Sequence, residues 1–206
     1  AGVFDVERGQ LAGIRPQFWQ TDTAVAKNSW GYTAAQDYKT AGSLIGDLVD
    51  IVSKNGALLL NVGPRPDGTI PEGDQELLRE MGRWLEVNGE AIYGTRPWTT
   101  FGEGPTQVVE GAFTDTQRGD YTGRDVRYTR QEETVYAITL ARPEAGKLTL
   151  SALADGAEHY PGAIGAVELV GNGAPVPWTR TPEGLDLNLS ALPPGEHGVA
   201  LRISPG

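Results

Sequence analysis

Between Ala41 and Val52 the apolar residues recur three and four apart, so Ala41, Leu44, Ile45, Leu48, Val49 and Val52 share one face of a helix. Asp47, Asp50 and Ser53 fall elsewhere on the wheel. Lys54 suits the negative end of the helix dipole, and Asn55-Gly56 supplies a left-handed stop. The pattern then changes. Ala57 to Val62 run apolar without alternation until Gly63-Pro64 and Pro66-Asp67-Gly68 break the chain. A strand apolar at every position has no wet face, as in a parallel sheet covered by helices. Asn61 is the one polar side chain near its carboxyl end. It reads either as the end of a core strand or as part of a ligand site, since such strand ends are where α/β sheets hold ligands.

A second helix is predicted from about Pro71, with Glu72 and Asp74 at its positive end. Leu77, Leu78, Met81, Trp84 and Leu85 form its buried stripe, Asn88-Gly89 ends it, and residues 90–94 read as a short strand. Upstream, Val3 to Arg8 alternates apolar and polar as a strand ending at Glu7-Arg8, and Phe18 to Thr23 is a second short strand. Glu7 beside Arg8 is either a solvated pair or a catalytic carboxylate with a cationic neighbour. The loop Lys27-Asn28-Ser29-Trp30-Gly31-Tyr32 sets two aromatics among small polar residues. That composition suits stacking on a sugar ring, or equally a plug for the end of the sheet. Helix alternating with strand is the rhythm of a parallel α/β unit.

The style changes at Arg96-Pro97-Trp98. Short two-residue-period runs follow at 126–129, 135–140, 147–150, 166–170, 185–189 and 198–203, parted by turn sequences such as Gly171-Asn172-Gly173 and Pro193-Pro194-Gly195. These predict an antiparallel β-sandwich. The fold class expected is therefore α/β followed by all-β, with residues 1–97 as the first domain and 98–206 as the second.

Composition narrows the function classes. The 206 residues carry a net charge of −10 and a pI near 4.7. An acidic chain without a basic stripe repels phosphate backbones, so nucleic acid is not an expected partner. There is no cysteine and there are only two histidines, His159 and His197, with no partner at ligand spacing. No metal site is expected, and the lack of disulfides does not fix a compartment. No run of about 18 apolar residues exists, so no membrane span is expected, and no basic-then-apolar leader is present. The chain opens Ala1-Gly2-Val3-Phe4 straight into a strand pattern, which reads as a sequence that begins in mid-fold.

Several words in this sequence occur together in one family. They are Asp5-Val6-Glu7-Arg8-Gly9, Trp19-Gln20-Thr21-Asp22-Thr23, Asn28-Ser29-Trp30-Gly31-Tyr32, Leu48 to Gly56, Leu58 to Pro64, Asp67 to Pro71, and Asn88 to Trp98. In this order and spacing they resemble glycoside hydrolase family 29, the α-L-fucosidases. From about Thr99 the resemblance is one of layout only. It implies a (β/α)-barrel followed by a β-sandwich and hydrolysis of α-L-fucosides with retention, which needs a nucleophilic carboxylate and a second carboxyl group as acid then base. By motif position Glu7 looks like the acid/base and Trp30 like the aromatic that packs on fucose. Trp19 sits near the pocket in the motif, and its weaker claim as a substrate contact competes with packing.

The chain departs from the family in one respect. The family's nucleophile aspartate, its histidine-rich fucose-binding strands and the first half of its barrel lie upstream of Ala1. The expectation is thus a truncated barrel remnant with a C-terminal sandwich. Asp22 or Asp67 are possible substitute carboxylates, and self-association or a complementing barrel half would be the route to activity. The expected partner is a fucosylated glycan or fucoside, and no cofactor is implied. The alternative from another class is a non-catalytic carbohydrate-binding or assembly module.

Overall fold

A computed structural model describes residues 2–144 and 146–206. Strands β1 (Phe4–Glu7), β2 (Trp19–Ala24) and β3 (Gly56–Asn61) form a parallel sheet in the order β1-β2-β3. Helix α1 (Ala41–Ser53) covers one face of it, and α2 (Glu72–Asn88) follows β3. Thr40 caps α1 by accepting the Ser43 amide, and Asn55 takes a positive φ of 71°, the stop expected there.

The remaining strands make two antiparallel sheets. The larger has the order β4-β5-β6-β11-β8, from β4 (Arg96–Glu103), β5 (Val126–Gln131), β6 (Thr134–Thr139), β8 (Ile164–Leu169) and β11 (Ala200–Pro205). The smaller has the order β7-β10-β9, from β7 (Lys147–Leu150), β9 (Trp178–Thr181) and β10 (Gly184–Asn188). Val135, Ala137, Leu201 and Ile203 of the larger sheet meet Leu148, Leu150, Leu185 and Leu187 of the smaller one in a single apolar core. Two sheets sharing a core in this way form a sandwich.

The larger sheet is covered on its other side too. Tyr136, Ile138 and Ala200 pack with Leu44, Ile45 and Val49 of α1 and with Met81 and Trp84 of α2. Trp84 Nε1 donates to the Gly198 carbonyl at 2.7 Å, and the Ala200 amide donates to Asn88 Oδ1 at 2.9 Å. The α/β unit and the sandwich are therefore joined by a continuous core.

Three local expectations change, and one helix face that the pattern left unassigned is buried. Residues 90–94 are not a strand: Gly89–Ala91 form a 3-10 turn, and the amides of Ile92 and Tyr93 both bond back to the Gly89 carbonyl. With those amides taken up inside the turn, the segment packs across the larger sheet instead of joining it, and the Thr129 hydroxyl of β5 donates to the Ala91 carbonyl at 2.7 Å. Leu78 is exposed rather than part of the α2 stripe, because only Met81 and Trp84 of that stripe reach the sandwich-side core fully. Asp47, Asp50 and Ser53 are buried, and so is Lys54, since the face of α1 away from its apolar stripe also meets the sandwich. Finally, β3 has an open face, with Leu59 55% exposed, because helices cover only one side of the parallel sheet among the described residues.

Candidate active site

The parallel register decides which side chains share the open face. Glu7 pairs with Asp22, and Asp22 with Leu59. Alternation along each strand then puts Asp5, Glu7, Gln20, Asp22, Ala57, Leu59 and Asn61 on one side. Phe4, Val6, Trp19, Thr21 and Leu58 take the other side, toward α1. Neighbouring strands lie about 4.8 Å apart, so Glu7 and Asp22 are adjacent carboxylates at the carboxyl-terminal end of the sheet.

Glu7 is exposed and is the last residue of β1. Asp22 is half-buried, and its Oδ1 is buried with no hydrogen-bond partner among the described residues. A buried carboxylate oxygen left without a donor is uncommon and marks a place where a bound group can supply one. Asp67 sits apart in the turn after β3. Its Oδ1 accepts from the Thr69 hydroxyl at 2.7 Å and the Thr69 amide at 3.0 Å, and these bonds hold its carboxyl below the usual value.

Trp19 is on the wrong side for a substrate contact. It is 0% exposed, packs with Val6 and Ile51, and donates through Nε1 to the Lys54 carbonyl at 2.9 Å. Gly56 is glycine for the same reason: a Cβ there would stand 2.5 Å from the Trp19 ring. The alternation of β2, with Gln20 and Asp22 facing the open side, turns Trp19 into core.

Trp30 is half-buried on the loop after β2, above the sheet's carboxyl-terminal end. Asn61 Nδ2 donates to the Trp30 carbonyl at 2.6 Å, so the one polar residue of β3 fastens this loop. Asp74, read in the sequence only as a helix-dipole carboxylate, is fully buried. It accepts from Tyr38 Oη at 2.7 Å and from the Gly63 amide at 2.9 Å, tying α2 to the turn beneath the loop. Only the unbroken apolar context of β3 pointed to Asn61; nothing local distinguished Asp74.

Arg8 does not engage the Glu7 carboxylate. Its backbone turns into the left-handed region, with φ 47°, and its side chain swings to the Trp30 loop. Nη2 donates to the carbonyls of Ala26 at 3.1 Å and Lys27 at 3.0 Å, and the guanidinium carbon stands 5.1 Å from the Trp30 ring centroid. Its Nε meets Asp115 Oδ2 at 3.2 Å. That same oxygen accepts from Lys39 Nζ at 2.6 Å and Thr23 Oγ1 at 2.7 Å. Burial alone would raise the Asp115 carboxyl, but these bonds and the Lys39 and Arg8 charges outweigh it and hold it below the usual range.

Residues 2–90 match the family described as alpha-L-fucosidase, and residues 118–203 match the alpha-L-fucosidase C-terminal domain. Plasma alpha-L-fucosidase of Rattus norvegicus is 38% identical over 187 residues, covering 87% of this chain and 36% of that protein. Its Homo sapiens counterpart is 38% identical over 203 residues, covering 93% and 38%. Among solved structures, alpha-L-fucosidase isoenzyme 1 from Paenibacillus thiaminolyticus superposes with a TM-score of 0.74 at 27% identity, over 98% of this chain and 44% of that one. The chain thus spans between 36% and 38% of the length of these two curated relatives.

Proposed function

Because the chain belongs to the α-L-fucosidase family, we propose that it forms the C-terminal part of a retaining α-L-fucosidase: the last strands of a (β/α)-barrel, residues 1–97, and the β-sandwich, residues 98–206. Glu7 is the acid/base. It gives its proton to the glycosidic oxygen as the C1–O bond breaks and a nucleophilic carboxylate takes C1. Its carboxylate then takes a proton from the water that attacks C1 and releases the nucleophile, so the sum is fucoside plus water to fucose plus alcohol. Trp30 packs on the sugar.

The observation that carries this reading is the placement of an exposed Glu7 at the end of β1, on the same open face as Asp22 and below the Trp30 loop. The nucleophile comes from strands outside these 206 residues, in the same or a second polypeptide. Where this chain works without them, Asp22 is the better substitute: it neighbours Glu7 and has an unpartnered oxygen, whereas Asp67 is held by Thr69. The open sheet edges, with Val3, Phe4, Phe18 and Leu59 exposed, favour self-association or pairing with the rest of a barrel.

The test is hydrolysis of an aryl α-L-fucoside by the protein and by Glu7→Gln. The expected loss is about 10²–10⁴-fold in kcat, with fucose binding retained. Unchanged turnover in Glu7→Gln would remove Glu7 from the chemistry. Binding of fucose without any turnover in the parent, in the presence of the complementing strands, would put the carbohydrate-binding reading in its place.

A further inference from the structure

The stretch between β4 and β5 leaves the sandwich, crosses the end of β1 and returns, and its residues 104–117 lie between the two family-matched segments. We propose that Asp115 on this stretch is a positioning residue that holds Glu7 and Trp30 in one geometry. The inference rests on the roles given to those two residues above.

Three contacts build the link. The Phe113 amide donates to the Glu7 carbonyl at 2.9 Å, and the amides of Thr114 and Asp115 donate to the Arg8 carbonyl at 2.9 and 3.0 Å. The turn thereby caps the strand end that carries Glu7. The fit is close, because a Cβ on Gly9 would stand 1.8 Å from the Gly111 carbonyl oxygen. Arg8 is the second contact. Its left-handed backbone turns its side chain away from Glu7 and aims it at the Trp30 loop, where it bonds two carbonyls and lies over the indole. Asp115 is the third, with a side chain 7% exposed. Its carboxylate fixes the guanidinium from behind while neutralising Lys39, which is buried alongside.

Among the described residues, Glu7 and the Trp30 loop have no other connection of this kind. A planar guanidinium holds its donors in a fixed fork, so one anchored nitrogen orients all of them. Loosening that anchor lets the acid and the sugar-packing wall move separately. Misplacement of about 1 Å costs on the order of 10²-fold in rate.

The experiment compares the active enzyme with Asp115→Asn on two aryl α-L-fucosides, one with an activated and one with a poor leaving group. A poor leaving group needs the proton from Glu7 and an activated one hardly does. The expected result is a fall in kcat of about 10²-fold on the poor leaving group and a much smaller fall on the activated one. Equal losses on both would mean a general structural role and would overturn the proposal. Amide hydrogen exchange on the same variant gives a readout free of turnover. Protection should drop together in peptides covering residues 5–10 and 24–31, and a drop confined to 111–115 would overturn the link. If Asp115→Asn alone does not fold, combining it with Lys39→Met removes the stranded cation and carries the same test. A parent protein without fucoside turnover would count against the hydrolase reading, while the exchange result would still decide the link.

Discussion

The two sides of the α/β unit treat charge in opposite ways. Where α1 meets the sandwich, charges are sealed in and paired. Asp50 accepts from Arg127 Nε at 2.6 Å and from Lys54 Nζ at 2.7 Å, and Asp47 accepts from Arg118 Nη2 at 2.8 Å and from Gln10 Nε2 at 2.7 Å. On the open face of the parallel sheet, Glu7 stands exposed and Asp22 Oδ1 lacks a donor among the described residues. Buried charge that is fully paired fixes how two units dock, whereas a carboxylate left unsatisfied is free to act on something bound. The same fold thus separates a closed face of paired charges from an open face that leaves Glu7 and Asp22 unpaired among the described residues.

Breaking the closed face should have the larger effect on stability. Asp50→Ala leaves Arg127 and Lys54 buried without their shared carboxylate, which costs about 3–5 kcal/mol. A domain of ordinary stability, roughly 5–15 kcal/mol, would lose much of its margin. Urea unfolding monitored by tryptophan fluorescence measures the loss. Glu72→Ala, which breaks the exposed Glu72–Arg79 pair, should leave the midpoint nearly where it was. If both variants unfold at the same urea concentration as the parent, the sealed network contributes nothing to docking.

Local pattern made the closed face only half legible. The apolar stripe of α1 and its Asn55 stop are local, and both could be read from spacing. What Asp47 and Asp50 do depends on Arg118 and Arg127, more than 70 residues away, and a helical wheel holds no information about them. Strand β5 hid the same feature. Arg127 and Thr129 alternate with Val126 and Tyr128 as a solvated face would, yet both are buried because α1 and the 3-10 turn lie over that face. On the open side, alternation gives the faces of the first two strands, but Glu7, Asp22 and Asn61 come together only through the parallel register, which the sequence does not carry. Asp115 could not be found this way, since the stretch around it has no periodicity and its partners lie 76 and 107 residues upstream.

The open face can be sharpened through Leu59, an apolar residue without cover among the described residues. Leu59→Ser should change the stability of the isolated chain by no more than about 0.5 kcal/mol, as expected for an exposed position. Its effect belongs to association. Burying a leucine is worth about 1.5–3 kcal/mol, so the variant should weaken self-association or pairing with complementing strands by roughly 10–100-fold. Light scattering over a concentration series reads this. A parent chain that stays a monodisperse monomer at micromolar concentration would refute the assembly proposal, whatever the variant does.

The smallest expected effect is one of pH, and it tests the joint between the two faces. The Asp115 carboxyl is held below its ordinary value of 3.8, so the unfolded chain takes up a proton before the folded one does. The stabilisation from Asp115 is therefore complete above about pH 5 and is lost as pH falls through 3.8 toward the folded value. Asp125 is depressed too: burial works against it, but the Thr122 and Thr106 amides and hydroxyls prevail, so part of the acid slope remains without Asp115. Asp115→Asn should lower stability at neutral pH and flatten its decline toward acid, with parent and variant converging at the lowest pH. Thermal unfolding of both proteins across the acid range measures the difference. Parallel curves would mean that Asp115 binds its proton equally in both states, and the ion pairs with Arg8 and Lys39 would then be contacts without energetic weight.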